Sequence, residues 1–169
     1  MNIFAIYIGG DTKNSHIELH DIRFVVASRI EDTYDSLRTE WWGVPRSLHI
    51  DAWSELIRAD GYKITLQKTV FKGKEKLYFL NLGGYDYAEF AEMHKNVFIV
   101  ATSPAEAKTR AMQTIRHWKL PHKDGIFEVE KSFCLNKTAE EKGLYIHLEK
   151  IEDESHAPFI CKYVNIAKK

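Results

Sequence analysis

The chain says the same thing twice. Gly9-Gly10 returns as Gly83-Gly84, Glu18-Leu19-His20 as Glu92-Met93-His94, and Phe24-Val25-Val26-Ala27 as Phe98-Ile99-Val100-Ala101, each 74 residues on. Trp42-Gly43-Val44-Pro45 returns as Trp118-Lys119-Leu120-Pro121 after 76 residues, and His49-Ile50-Asp51 as His122-Lys123-Asp124 after 73. Self-similarity at a fixed period means one supersecondary unit used twice, so any fold or site proposed here should come in two related copies.

Within the first copy, residues 3–8 are an apolar, β-rich run ending at Gly9-Gly10, which reads as a buried strand into a turn that needs positive φ. A polar connection leads to a second β-rich run at 22–27. Ser28-Arg29-Ile30-Glu31 has the spacing of a capping box, in which serine and glutamate satisfy free amides of a helix start. Ile30, Thr33, Leu37 and Trp41 then form one stripe at helical spacing, and Gly43 and Pro45 stop the helix. The second copy repeats these steps, with a strand at 77–82, a strand at 97–101, and a helix opened by Ser103-Pro104-Ala105-Glu106. Its stripe is Ala107, Ala111, Ile115 and Trp118, and Pro121 ends it.

Each helix is followed by alternating patterns: Leu48, Ile50 and Ala52 against His49, Asp51 and Trp53, then Tyr62, Ile64 and Leu66 after the turn signal Asp60-Gly61. Phe127 and Val129 alternate in the second copy, as do Leu144, Ile146 and Leu148; the run 159–164 suggests a C-terminal hairpin. The expectation is an α+β fold of two tandem pseudo-symmetric ββαββ-like units, β-grasp-like, each with a helix packed on an antiparallel or mixed sheet. The units are 1–73 and 74–150, and residues 151–169 supply a turn and strand completing the second. A short charged turn joins the units without a flexible linker, so one compact body is expected.

Composition narrows the function. With 24 basic and 24 acidic residues the formal net charge is zero, and the chain lacks the basic stripe that neutralises phosphates, which argues against nucleic acid. No run approaches the ~20 apolar residues that span a bilayer, and the N-terminus does not read as a signal peptide. Cys134 and Cys161 have no metal-ligand spacing and sit in apolar runs, where free cysteine behaves as a small buried hydrophobe, so a reducing, cytoplasmic setting is expected.

The succession of a strand, Gly-Gly, Glu-x-His, an apolar Phe-Val-Val-Ala strand, a helix and Trp-x-x-Pro resembles a bacterial family known only as a domain of unknown function, number fifteen forty-three. The second copy, Leu80-Asn81-Leu82-Gly83-Gly84 with Glu92-Met93-His94, looks closest to that pattern. The resemblance covers most of residues 1–125 and implies one or two copies of the domain per chain, which with the repeat reads as two tandem copies, but it carries no activity and no catalytic residue.

Two polar pairs recur. On a strand, residues two apart share a face, so His49/Asp51 and His122/Asp124 would each offer an imidazole and a carboxylate to one metal or substrate, or act as a general base with its orienting carboxylate. Glu18/His20 and Glu92/His94 lie just ahead of a buried strand and would join them as one cluster per unit. The plainer alternative is local capping and hydrogen bonding, duplicated because the fold is. No nucleophile elbow, zinc-protease helix or phosphate loop occurs, and no cofactor is called for.

These observations predict a non-catalytic cytosolic binding or interaction module whose partner is an unidentified small molecule or protein. One alternative is a small, metal-assisted enzyme using the repeated histidines and carboxylates. Another is a structural self-association module forming homo-oligomers through exposed strand edges.

Overall fold

The computed structural model describes residues 1–85, 88–115, 128–153 and 155–167, and of residues 128–131 the backbone alone. The order is β1 (Asn2–Gly10), β2 (Leu19–Ala27), a 3-10 turn (Ile30–Thr33) running into α1 (Tyr34–Glu40), β3 (His49–Glu55), β4 (Arg58–Ala59) and β5 (Tyr62–Gln67). There follow β6 (Lys76–Tyr85), β7 (Glu92–Ala101), α2 (Pro104–Gln113), β8 (Glu128–Cys134), α3 (Asn136–Glu140), β9 (Tyr145–Lys150) and β10 (Ile160–Asn165). The class is α+β. Three antiparallel sheets have the orders β10-β3-β1-β2, β4-β5-β9 and β7-β6-β8.

Side-chain alternation sets the layers. On β1, Phe4, Ile6 and Ile8 face α1 and pack with Leu37 and Trp41, whereas Ile3 and Ala5 face a central core. On β6, Tyr78, Leu80 and Leu82 face α2 and pack with Ala107, Ala111 and Ile115, whereas Leu77 and Phe79 face the same central core. A strand covered on both faces reads as an unbroken apolar run, which is why 3–8 and 77–82 look alike. Phe24 and Phe79 meet in the middle with ring centroids 5.0 Å apart. The two halves therefore share one core.

A polar tie reinforces that contact. Asp60 and Gly61 both take positive φ, +52° and +75°, the pairing that an Asp-Gly hairpin turn requires. The Asp60 carboxylate accepts the Val100 amide at 2.7 Å and pairs with the Arg110 guanidinium at 2.7 Å, so the β4–β5 turn is fastened to β7 and α2.

Several local readings need correction. Gly9 and Gly10 do not turn the chain at positive φ; they lie inside β1, where the positive-φ glycines do not include them. β2 begins at Leu19 rather than Ile22, because its ladder needs only backbone, and Gly10 and Gly9 supply that opposite Leu19 and His20. The first helix is not capped at Ser28: the Arg29 amide donates to the Asp32 carboxylate, and the chain enters through a 3-10 turn. α2 does open as read, with the Glu106 amide donating to Ser103 Oγ at 3.2 Å, although the Glu106 carboxylate holds Thr102 rather than Ser103. That grip keeps the Glu106 carboxyl below its ordinary range. β10 makes no hairpin with β9. It lies against β3 in the first sheet, where Ile166 joins the α1 core, and so does not complete the second unit. Cys161 is exposed on β10, not buried, and Cys134 is half-buried. Trp118, His122 and Asp124 lie outside the described residues.

Candidate functional site

Gly9 is the hub of the site. In the ladder it stands between His20 of β2 and His49 of β3, so one residue on a central strand brings two imidazoles from opposite neighbours onto the same face. The β1–β3 register slips between Tyr7 and Ile8, leaving Asp51 as the extra residue of a bulge. A bulge re-aims the side chain it carries, and here it turns Asp51 toward the same point. Glu18 arrives from the connection before β2. The face is the one away from α1.

Four close imidazole–carboxylate contacts result. His20 Nε2 lies 3.3 Å from Glu18 Oε1 and 3.3 Å from Asp51 Oδ2. His49 Nε2 lies 3.5 Å from Glu18 Oε2 and 3.4 Å from Asp51 Oδ1. Each carboxylate spans both rings. Donor atoms of Glu18, His20 and His49 all fall within 4.8 Å of one another, the single such His/Cys/Asp/Glu group among the described residues.

The surroundings fix how these groups present themselves. His49, with a side chain only 4% exposed, places Nδ1 2.8 Å from the Ser47 carbonyl. A carbonyl only accepts, so Nδ1 carries the hydrogen and Nε2 is the ring atom turned to the cluster. Ser47 is itself held, its hydroxyl accepting the Asp11 amide at 2.7 Å and donating to the Val44 carbonyl at 2.8 Å. Tyr163 of β10 lies over the His49 ring at 4.6 Å, and Tyr7 stacks on His20 at 5.2 Å with the planes 6° apart. Burial, then the nearby charges of Asp51 and Asp21, raise the Tyr7 phenol above its ordinary range, so it remains a neutral wall. Asp51 Oδ2 is shut off from solvent and has no hydrogen-bond partner despite its 3.3 Å approach to His20. Glu18, 46% exposed, is the way in.

Space explains the glycine. A Cβ on Gly9 would sit 2.8 Å from His49 Nε2, 2.8 Å from His20 Cδ2 and 3.0 Å from Asp51 Oδ2. Only a residue without a side chain lets the donors close over the strand. The neighbouring Gly10 is required by Ser47 Oγ at 2.8 Å and the Trp41 ring at 2.9 Å.

The sequence-read residues thus divide. Glu18, His20, His49 and Asp51 come together. Glu92 and His94 pair with each other at 3.6 Å, and His94 stands opposite Gly83 as His20 stands opposite Gly9. Their expected companions, His122 and Asp124, lie outside the described residues; in the β6–β8 ladder Glu128 stands opposite Gly83. That ladder also slips at the corresponding place, between Asn81 and Leu82, with Glu130 as the extra residue. Tyr7, Tyr163 and Ser47 went unnoticed in the sequence; only the odd-numbered side of β1 hinted at Tyr7.

Comparison with known proteins gives a family match over part of the chain and a structural likeness over nearly all of it. Residues 15–66 match the model of the Domain of Unknown Function (DUF1543), which supports the resemblance over one copy, the first. The matched stretch contains Glu18, His20, His49 and Asp51. Across its length the chain is similar to the crystal structure of a protein Il1583 from Idiomarina loihiensis, at 27% identity, covering 99% of each chain with a TM-score of 0.72. No curated protein matches. No helix among the described residues is long and apolar enough to cross a membrane.

Proposed function

We propose that the protein is a binding module for a divalent first-row metal ion, held by Glu18, His20 and His49 with Asp51 as a fourth donor. The carrying observation is that one ligand atom each of Glu18, His20 and His49 lies within 4.8 Å of the others, with Asp51 oxygens 3.3 and 3.4 Å from the two imidazole Nε2 atoms. Two donors bound to one tetrahedral ion at about 2.1 Å stand about 3.4 Å apart. Mixed imidazole and carboxylate donors suit zinc, iron(II) or manganese(II). The Ser47 carbonyl on His49 Nδ1 is the outer partner that fixes a metal-binding imidazole in its ligating tautomer. The stranded Asp51 oxygen would gain a partner. The same cluster without a metal would be a pair of shared His–carboxylate hydrogen bonds, which leaves the Asp51 oxygen without a partner.

The supporting test is zinc titration by calorimetry, with metal content measured on protein purified without chelators. One equivalent per chain, lost in His49→Ala and retained in His94→Ala, is expected. Failure to take up a stoichiometric equivalent, or equal loss in both variants, overturns the reading.

We also read the two strand triplets as a duplicated β-grasp-like unit and a second, diverged copy of the domain. Support comes from the shared order β2-β1-β3 and β7-β6-β8, the matching Gly-His register and the matching bulge. Two unpaired cysteines are consistent with a reducing compartment.

A further inference from the structure

The third sheet ends in an open edge. Its order is β7-β6-β8, so among the described residues β7 has a strand on one side only. In an antiparallel ladder, alternate residues turn both backbone groups away from the partner strand. Val100 shows which residues of β7 these are. Its amide donates to the Asp60 carboxylate at 2.7 Å, and its carbonyl accepts from the Arg110 guanidinium. Phe98 and Asn96, two and four residues earlier, therefore aim their amides and carbonyls the same way. Among the described residues nothing pairs with those groups. A carboxylate and a guanidinium thus meet the rung at Val100 as a neighbouring strand would, and no side chain continues the row.

This edge is also the wall of a groove. Asn96 and Phe98 line a space of about 1190 Å³, whose lining includes Lys150, Glu152, His156 and Phe159. Phe98 is only 7% exposed, which leaves little water for its unpaired amide and carbonyl. The space exceeds the ~300–1,000 Å³ of ordinary small-molecule sites. An occupant that meets amides and carbonyls at strand spacing is itself an extended backbone. Charge narrows it further. The lining carries Lys95, Arg110 and Lys150 against Asp60 and Glu152, and Arg110 and Asp60 are paired with each other. Lys95 is held at the end of α2, its Nζ donating to the Thr114 carbonyl at 3.2 Å. The balance left is cationic.

We propose that this groove takes an extended peptide segment of a partner protein, which adds as a fourth strand along the β7 edge and alternates apolar with acidic side chains. Alternate side chains of an added strand fall on opposite faces of the sheet. The apolar ones lie on the face of Phe98, toward Phe159, and the acidic ones on the face of Lys95. The site is independent of the metal reading, since Glu18, His20, His49 and Asp51 do not line it.

The probe is a capped hexapeptide of alternating glutamate and valine, followed by calorimetry and by amide hydrogen exchange. Saturable one-to-one binding is expected, about tenfold or more tighter than that of the lysine–valine counterpart. Bound peptide should slow exchange of the Asn96 and Phe98 amides about tenfold or more, and leave Val97 and Ile99, which face β6, unchanged. Methylating one alternate set of peptide amides should weaken binding about tenfold or more, and methylating the other set should leave it within about twofold. Asn96→Pro removes one outward donor at a position where an edge strand tolerates proline, and should also weaken binding. If that variant fails to fold, the methylated peptides decide. Absence of saturable binding, exchange at Asn96 and Phe98 that peptide does not slow, or equal effects of the two methylated sets overturns the proposal. A concentration-dependent dimer that protects the same two amides without peptide would assign the edge to a second copy and overturn it too.

Discussion

Two corners of the molecule share a backbone plan and differ in chemistry. At the first, Gly9 stands between His20 and His49; at the second, Gly83 stands between His94 and Glu128, and both ladders slip at the adjoining position. Next along the strand, Tyr7 at the first corner corresponds to Asn81 at the second. Tyr7 stacks on His20, whereas Asn81 hydrogen-bonds Asn96 at 2.8 Å with His94 Nδ1 3.3 Å from its carbonyl oxygen. A repeated ladder therefore preserves where side chains converge without preserving what converges there. One corner offers two imidazole nitrogens to one point; among the described residues the other offers His94 beside Asn81 and Glu92.

The sharpest way to break this comparison is to remove one imidazole from each corner. His49→Ala should weaken zinc binding about 100-fold or more, equivalent to about 2.7 kcal/mol, whereas His94→Ala should leave it within about twofold. Equal effects would mean that the corners are not different in kind. Gly9→Ala comes next. The added methyl must displace buried donors, so zinc affinity should fall with the histidines intact, and chemical denaturation should show a loss of about 1–3 kcal/mol.

Asp60→Asn tests what joins the two halves. The substitution keeps a residue tolerant of positive φ but removes the charge facing Arg110 and the Val100 amide, and should cost about 2 kcal/mol in denaturant unfolding. A cost near zero would mean that the apolar core alone joins them. A smaller contrast separates the helix starts. Ser103→Ala should cost about 1 kcal/mol and Ser28→Ala close to nothing, because only Ser103 accepts a helix amide.

Smallest is a pH effect. The Glu106 carboxyl is held below its ordinary value of 4.5, chiefly by the Thr102 hydroxyl and then by the Thr102 amide. Its contribution to stability is therefore complete above pH 4.5 and disappears as pH falls through the lowered folded value. The stability gap between wild type and Glu106→Gln should be constant near neutrality and shrink in acid; a gap that grows in acid would reverse the sign of the argument.

Much of this was legible in the chain. The strand runs at 3–8 and 77–82, the stripes Thr33–Leu37 and Ala107–Ala111, and the Asp60-Gly61 turn all express local periodicity or backbone preference, and the structure has them. The grouping of Glu18, His20, His49 and Asp51 was approached through the repeat, which marked residues that the first copy brings together. In the second copy His122 and Asp124 lie outside the described residues, and a motif such as His-x-Asp carries no register of its own. Gly9-Gly10 was misread because a glycine needed for space and one needed for positive φ are the same letter. The partner of β10 was likewise hidden: an edge strand such as 160–165 looks the same whichever sheet it joins.

The most direct measurement is anomalous diffraction at the zinc edge from crystals soaked in zinc. The account predicts one strong peak about 2.0–2.2 Å from Nε2 of both His20 and His49 and from a Glu18 oxygen, with Asp51 at or near the ion. No peak between these side chains, or a peak at His94 and Glu92 instead, would contradict it.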